Sequence, residues 1–91
     1  MITHVAVRFN GKLWSLPRPY RHHHIIRVIM YLDNMHGGEL DSVDAHGDDQ
    51  GFLDDTGQYL TRKEAEVHAA LNGQIKNGKI IGGVLTSEDL W

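Results

Sequence analysis

The sequence contains no cysteine, and this absence removes a whole class of structural and catalytic sites. Without thiols, the chain can form neither a disulfide nor a thiolate metal site. It also lacks any apolar run near the ~18 residues that a membrane span requires, and it shows no recognisable signal peptide. We therefore expect a soluble, cytoplasmic protein with no membrane partner.

The motifs of several common enzyme classes are also missing. There is no Walker loop, no Gly-x-Ser-x-Gly elbow and no His-Glu-x-x-His helix,. No motif predicts a cofactor. The 91 residues are enough for one domain, residues 1–91, but not for a second core,. A domain of this size buries little more than ~60% of its unfolded surface, so association with another copy would stabilise it.

The charge of the chain is small but unevenly placed. A formal net charge of −3 argues against a long nucleic-acid partner,. Five of the nine basic residues precede the first acidic one: Arg8, Lys12, Arg18, Arg21 and Arg27. The segment 33–55 is acidic and contains no lysine or arginine. The chain can therefore form a local basic pocket despite its negative total.

Hydrophobic spacing predicts two strands and a helix in the first third. Residues 3–9 alternate with the period of a strand, and 12–16 form a return strand,. Between them Asn10-Gly11 favours a tight hairpin, because both residues tolerate a positive φ. An apolar stripe with i, i+3, i+4, i+7 spacing predicts a helix from about Tyr20 to Asn34,.

The middle of the chain predicts a loop and a short hairpin. Residues 36–50 are polar, acidic and unusually long for a loop in a compact domain,. Two short strands, 51–53 and 58–60, flank the turn sequence 54–57,.

A second helix and a last strand are predicted near the end. Thr61 and Glu64 have the spacing of a capping box, and the helix that they start ends at about Asn72, before Gly73,. Residues 80–85 are expected to form a final strand. Together the elements predict an α+β fold with a small antiparallel sheet and two helices.

Three consecutive histidines suggest a metal site, but helix geometry argues against it. Successive residues on a helix point about 100° apart, so His22, His23 and His24 cannot converge on one ion. One or two of them could join acids from elsewhere, such as Asp48 or Asp49. We expect no native metal site.

Two arginines near helix starts favour anion binding instead. Arg21, with His22 and His23, lies where free N–H groups and the helix dipole attract a phosphate. Arg62 lies in the first turn of the second helix, where a cation gains nothing from the dipole. It should therefore either pair with Glu66 in solvent or contact a ligand. For Arg21 the alternative is a solvated helix start with partly exposed histidines.

One aromatic residue has two possible roles. Strand alternation places Phe52 in the core, whereas an aromatic ring beside a phosphate site could stack on a base. A hydrolase is the enzymatic alternative. It would use His22 or His68 with Asp48 or Asp49.

Five segments, in this order and spacing, resemble the first type of phage Thoeris anti-defence proteins. They are Arg21-His-His-His-Ile-Ile26, Gln50-Gly-Phe-Leu53, the 57–65 segment ending in Leu60-Thr-Arg-Lys-Glu-Ala65, Gly73-Gln-Ile75 and Ser87-Glu-Asp-Leu-Trp91. The acidic loop 36–49 has no counterpart in that pattern.

The resemblance implies a specific function. Members of that family bind cyclic ADP-ribose isomers made by bacterial TIR enzymes and hold them without cleavage. Some also hold cyclic oligonucleotides of CBASS defence in separate pockets of a hexamer. For this chain it implies a non-enzymatic sponge in the cytoplasm of the infected host, assembled as a dimer or hexamer, without metal or cofactor. The expected ligand-binding residues are Arg21, His22, His23, Phe52 and Arg62. A small nucleotide hydrolase and a protein-interaction inhibitor of a host factor remain the alternatives.

Overall fold

A computed structural model describes residues 1–35, 37, 49–78, 80 and 84–91 of the chain. It contains a four-stranded antiparallel sheet and two helices, so the predicted α+β fold is confirmed. The elements are β1 (Ile2–Phe9), β2 (Lys12–Pro17), α1 (His22–Met35), β3 (Gln50–Asp54), β4 (Tyr59–Thr61) and α2 (Arg62–Leu71). A short 3₁₀ turn, Ser87–Asp89, follows near the end. None of the helices in the described part of the chain is long and apolar enough to cross a membrane.

Strand β1 lies inside the sheet, whose order is β2-β1-β3-β4. The predicted hairpin joins β1 to β2, with Asn10 at φ 52° and Gly11 at φ 72° in the left-handed region that this turn requires,. On the other side, β1 pairs with β3 although about forty residues separate them in sequence,. The sheet therefore depends on one local pairing and one distant pairing.

The predicted turn between β3 and β4 is held by one carboxylate. Asp54 Oδ1 accepts hydrogen bonds from the backbone N–H groups of Thr56, at 2.9 Å, and Gln58, at 3.0 Å. The hydrogen bond from the Thr56 hydroxyl, followed by these backbone bonds, lowers the pKa of Asp54. Gly57 closes the turn at φ 86°, a conformation that glycine adopts without a steric penalty,.

Only glycine fits at position 51 in the middle of the sheet. A Cβ atom on Gly51 would lie 2.6 Å from the Tyr59 ring and would also overlap the carbonyl oxygen of Leu60. The Tyr59 ring in turn lies under the Arg8 guanidinium, 4.5 Å from its centroid,. The side chain of Tyr59, on the neighbouring strand β4, thus covers the backbone of β3 closely at Gly51.

The start of α2 matches its sequence prediction. Thr61 Oγ1 accepts from the backbone N–H of Glu64 at 3.2 Å, and Glu64 Oε1 accepts from the backbone N–H of Thr61 at 3.1 Å,. After the helix, Gly73 takes the left-handed conformation at φ 63°,. The next side chain, Gln74, bonds both backbone groups of Ile2, accepting from its N–H at 2.8 Å and donating to its C=O at 2.6 Å.

Some predicted boundaries are wrong. Helix α1 begins at His22 rather than at Tyr20, and Gln50 belongs to β3 rather than to the loop. Most of the predicted loop, residues 36 and 38–48, lies outside the described residues. Of the predicted last strand, residues 81–83 also lie outside them, and Ile80, Val84 and Leu85 are not in a strand.

The core lies between the sheet and the helices, and the tail, residues 84–91, completes it. Both helices pack against β1. The buried apolar side chains of the core come from the sheet, both helices and the tail: Ile2, Val5, Val7, Ile25, Ile29, Phe52, Leu60, Ala65, Ala69, Leu85 and Leu90. Leu85 and Leu90 anchor the tail in this core, and the tail thereby runs past the N-termini of both helices.

Candidate anion-binding site at two helix N-termini

The first turns of α1 and α2 meet at the beginning of β3. His22, the first residue of α1, lies with Nε2 2.7 Å from the carbonyl oxygen of Gly51. Arg62, the first residue of α2, donates from Nη2 to Gln50 Oε1 at 2.7 Å. Because Gln50 and Gly51 are consecutive, the two helix N-termini converge there. We call Arg21, His22, Gln50 and Arg62 the arginine junction.

His22 is a neutral, buried member of this junction. Only 8% of its surface is exposed, and its ring stands edge-on to Phe52 with the centroids 5.1 Å apart. Burial lowers the pKa of His22 from 6.5 to about 4, and the positive charges of Arg62 and His23 act in the same direction against the hydrogen bond to Gly51,. Since a carbonyl only accepts, Nε2 carries the proton and donates it to Gly51.

The other two histidines point in different directions and have different roles, as predicted from the geometry of a helix. His24 turns back, and its Nδ1 accepts a hydrogen bond of 2.9 Å from the backbone N–H of Arg21. This bond satisfies one of the free N–H groups at the start of α1. Burial, followed by the charges of His23 and Arg27, lowers the pKa of His24. His23 is exposed, with its ring 4.2 Å from that of His24.

Arg21 binds the tail. It donates from Nη1 to the hydroxyl of Ser87 at 3.3 Å and from Nη2 to the backbone oxygen of Trp91 at 2.5 Å. In return, the indole N–H of Trp91 donates to the carbonyl oxygen of Tyr20 at 3.0 Å. The tail therefore lies against the start of α1.

Arg62 binds the same tail from the other helix. Its Nη1 donates to the carbonyl oxygen of Leu85 at 3.0 Å. Its Nε is buried and has no hydrogen-bond partner in the described part of the chain. Burial lowers the pKa of Arg62, and the neighbouring Tyr59 opposes this effect. The solvated ion pair with Glu66, one of the two predicted outcomes, is not formed among the described residues.

Arg62 is held by a backbone carbonyl and a side-chain amide, and Arg21 is held by a hydroxyl and by the backbone oxygen of Trp91. Within the described residues, neither guanidinium has an Asp or Glu side chain within ion-pair distance. A guanidinium has five N–H donors, and Arg21 and Arg62 each use two of theirs in the contacts above. Two guanidinium groups without an Asp or Glu partner among the described residues therefore lie beside two helix N-termini, which themselves favour anions.

The structure brings together three of the five predicted ligand-binding residues: Arg21, His22 and Arg62. Phe52 touches His22, but its ring is fully buried in the core. Of the two roles predicted for Phe52, core packing from strand alternation and stacking on a base beside a phosphate site, the structure has the core role. Its contribution to the junction is to support the His22 ring. His23 is exposed beside the junction and makes no described hydrogen bond to it.

The residues of the enzymatic alternative are not assembled. Asp49 lies near Arg8, with Oδ1 4.0 Å from Nε, whereas Asp48 is outside the described residues. On α2, His68 has a buried Nε2 without a hydrogen-bond partner. In the part of the chain that the structure describes, no three histidine or acidic side chains are placed to hold a metal ion.

Sequence reasoning missed the partners of the arginines. Gln50 and Ser87 belong to segments that carry the resemblance, but neither they nor Leu85 were predicted to contact an arginine, and the tail was expected to include a strand. One sequence feature could have indicated the tail turn, because Thr86 and Asp89 have the spacing of a helix cap. Asp89 Oδ2 indeed accepts from the backbone N–H of Thr86 at 2.9 Å,.

Comparison with known proteins identifies the family. The model of the family described as Phage T4 y16D protein matches residues 1–91. The chain belongs to this family. The phage part of the predicted resemblance is therefore confirmed, because the y16D family is a phage family. No curated protein and no solved structure matches the chain.

Proposed function

We propose that this y16D-family protein binds a cyclic nucleotide signal of bacterial immunity and sequesters it without cleaving it. The expected ligand is of the glycocyclic ADP-ribose type, with the cyclic oligonucleotides of CBASS defence as further candidates. The observation that carries the proposal is the arginine junction, where no Asp or Glu side chain of the described residues pairs with Arg21 or Arg62 at two converging helix N-termini.

The junction has the donors that a phosphate group needs. Beyond the donors used in the described contacts, Arg21 retains three N–H groups and Arg62 retains two, since the Nε of Arg62 is buried,. A charge-assisted hydrogen bond contributes about 1.5–3 kcal/mol, and planar guanidinium groups match the geometry of phosphate oxygens. His22 is neutral above a pH of about 4, so it adds a polar ring without a third positive charge. These features support recognition of a compact, doubly charged phosphate ligand.

The same geometry supports binding without turnover. Hydrolysis requires a general base that can reach the attacking water. At the junction, the Nε2 proton of His22 is donated to Gly51, and its pKa of about 4 makes the ring a weak base. No Asp or Glu side chain in the described residues contacts either arginine, so none is placed there as a general base.

One experiment separates this proposal from its alternatives. The purified protein is incubated with glycocyclic ADP-ribose, washed and denatured, and the released compound is identified by mass spectrometry. Release of intact ligand is expected. A cleaved product would indicate the hydrolase, and the absence of any retained compound would favour the protein-interaction inhibitor.

Replacement of Arg62 by alanine is expected to weaken ligand binding about tenfold or more. The change removes a cation whose remaining donors are the proposed phosphate contacts,. Binding is measured by isothermal titration calorimetry, and the melting temperature is measured in parallel because Arg62 also holds Leu85. Arg21→Ala is expected to act in the same direction.

Two control variants separate loss of charge from loss of structure. Gln50→Ala removes a hydrogen bond that positions Arg62 but keeps the cation, so it should weaken ligand binding less than Arg62→Ala does. Lys63→Ala removes an exposed charge from the same helical turn and should be silent,. If Lys63→Ala weakens binding as much as Arg62→Ala, the attraction is non-specific and the junction is not the site.

Self-association belongs to the proposal as well. Three apolar side chains on the outer side of α1, Val28, Tyr31 and Met35, are 41%, 66% and 64% exposed and recur at i, i+3 and i+7,. We expect this stripe to pack against another copy in a dimer or hexamer. Light scattering at micromolar concentration should give a multiple of the chain mass, and Tyr31→Glu should lower it. Leu71→Glu, a matched change on α2, should not. A monomeric parent protein contradicts this expectation.

A further inference from the structure

The sheet has one long open edge, which is strand β2. The strand order is β2-β1-β3-β4, so β2 and β4 are the two edge strands. Strand β4 has only three residues, and the chain passes from it directly into α2. Strand β2 has six, Lys12–Pro17, and no strand in the described part of the chain pairs with its outer side. That side is therefore open to a further strand.

Alternate residues of β2 bond β1. The two-residue turn of the hairpin places the residues that flank it, Phe9 and Lys12, in a hydrogen-bonded pair,. The same phase holds at the far end, where the N–H of Arg18 donates to the carbonyl oxygen of Thr3 at 3.1 Å. Between these two points, the even-numbered residues of β2 direct their backbone groups toward β1, and the odd-numbered residues direct theirs away from it.

The odd-numbered residues in the middle of β2 are Leu13 and Ser15. Both are exposed, and no residue in the described ranges bonds their outward N–H and C=O groups. Unpaired groups of this kind are a template for another strand, and natural proteins block them with charged residues, prolines or bulges. On β2 such residues stand only at the ends, at Lys12 and Pro17. The middle of the edge is unprotected.

A second copy of β2 matches this edge in one register. If two β2 strands run antiparallel about a two-fold axis at Trp14, Leu13 of each copy lies opposite Ser15 of the other. Every outward N–H of these residues then finds a carbonyl acceptor. The two Trp14 side chains lie directly opposite each other, where aromatic pairs stabilise a sheet. Lys12 lies opposite Leu16, so no cation faces another.

The neighbouring registers fit less well. An axis at Leu13 would place Ser15 opposite Gly11, which lies in the hairpin turn at φ 72° rather than in a strand. An axis at Ser15 would place Leu13 opposite Pro17, which has no N–H to donate. Each of these registers loses hydrogen bonds that the axis at Trp14 provides.

We propose that the outer edge of β2 is an interface with a second copy of this chain, paired antiparallel about a two-fold axis at Trp14. The pairing joins the two four-stranded sheets into one continuous sheet. It uses neither the exposed apolar stripe of α1 nor the arginine junction. The proposal therefore stands or falls separately from the nucleotide ligand and from the contact through α1.

Amide hydrogen exchange followed by NMR tests the pairing, and the strand supplies its own control. In the associated protein, we expect the amides of Leu13 and Ser15 to be protected about tenfold or more, and this protection should fall on dilution. The amides of Trp14 and Leu16 bond β1 and should stay protected at every concentration. Rapid exchange of Leu13 and Ser15 at millimolar concentration overturns the proposal. Their protection in a protein that light scattering shows to be monomeric also overturns it, because the chain then covers its own edge.

Single cysteines test the register, because the chain has no cysteine of its own. Trp14→Cys places two thiols at directly opposed positions, about 4.5–5.5 Å apart at Cβ, where a disulfide can form. Mild oxidation should therefore give a covalent dimer. In the matched variants Leu13→Cys and Ser15→Cys, the two thiols are diagonal neighbours, about 7–8 Å apart, and should cross-link far less. The proposal is overturned if a matched variant cross-links as readily as Trp14→Cys.

A proline variant keeps the proposal testable if Trp14→Cys does not fold. Ser15→Pro removes only an outward N–H, a change that an edge strand tolerates. In a Tyr31→Glu background, which disrupts the contact through α1, Ser15→Pro should leave a monomer in light scattering, whereas Ser15→Ala should leave a dimer. A Tyr31→Glu protein that is already monomeric, or a dimer that persists with Ser15→Pro, contradicts the pairing of β2.

Discussion

Replacing Phe52 by alanine is expected to lower the free energy of unfolding by about 3–5 kcal/mol. The Phe52 ring is fully buried in the core, lies opposite Val5 and Leu60 in the sheet, and meets the His22 ring edge-on. Its removal leaves a cavity that the tightly paired strands cannot close. Because natural domains have only about 5–15 kcal/mol of stability, this change removes a large part of it. Urea unfolding followed by circular dichroism measures the effect.

Phe52→Leu is the matched control and separates the core role from a ligand-stacking role. Leucine retains most of the volume, so the expected cost is below about 1.5 kcal/mol. If Phe52 only supports His22, Phe52→Leu should still retain the proposed nucleotide ligand. A stable Phe52→Leu protein that has lost the ligand would restore the stacking role. A loss below about 1 kcal/mol in Phe52→Ala would show that the ring is not a core residue.

Much of the secondary structure could be predicted because its signals are local. Asn10 and Gly11 specify a hairpin through their own backbone preferences, and Thr61 with Glu64 specify a helix start through a bond across three residues,. These interactions join residues that are close in sequence, so they can be predicted without the rest of the chain. The observed boundaries differ from the predicted ones by about two residues, as expected where a helix end depends on its cap.

The partners of the candidate site could not be predicted because they are distant in sequence. Arg62 donates to Leu85, 23 positions away, and Arg21 donates to Trp91, 70 positions away. Gln74 bonds the backbone of Ile2 across 72 positions. No sequence periodicity relates residues that are so far apart. Any exposed carbonyl oxygen could have accepted the hydrogen bonds of the two arginines. The sequence predicted that Arg62 needed either a ligand or a protein partner, and the protein partner that it offered was Glu66, because that acid is one turn away.

The core and the candidate site are mechanically connected through a few residues. Phe52 supports His22, and His22 bonds the backbone of Gly51, where only glycine fits under Tyr59. The next residue toward the N-terminus, Gln50, holds Arg62. A change in the core at Phe52 should therefore alter the position of both helix N-termini. This connection favours a rigid, preorganised binding site, which lowers the entropic cost of holding a ligand.

His22 should make the protein lose stability as the pH falls from about 6.5 to about 4. In the unfolded chain this histidine takes up a proton near pH 6.5, whereas in the folded protein burial lowers its pKa to about 4. Within this window the unfolded state binds more protons, so the free energy of unfolding decreases as protons are added. The stabilisation is complete above pH 6.5 and lost below about 4. At about 1.4 kcal/mol for each tenfold change in proton affinity, the expected loss is about 3 kcal/mol.

The measurement is urea unfolding from pH 8 to pH 4 on the parent protein and on His22→Gln. Glutamine keeps an N–H donor for the Gly51 carbonyl but cannot take up a proton, so the difference between the two proteins isolates His22. Asp54 and Glu64 have lowered pKa values, so their contributions are lost mainly at still lower pH and are common to both proteins. If His22→Gln shows the same loss between pH 6.5 and 4 as the parent, His22 is not the buried neutral residue on which the arginine junction depends.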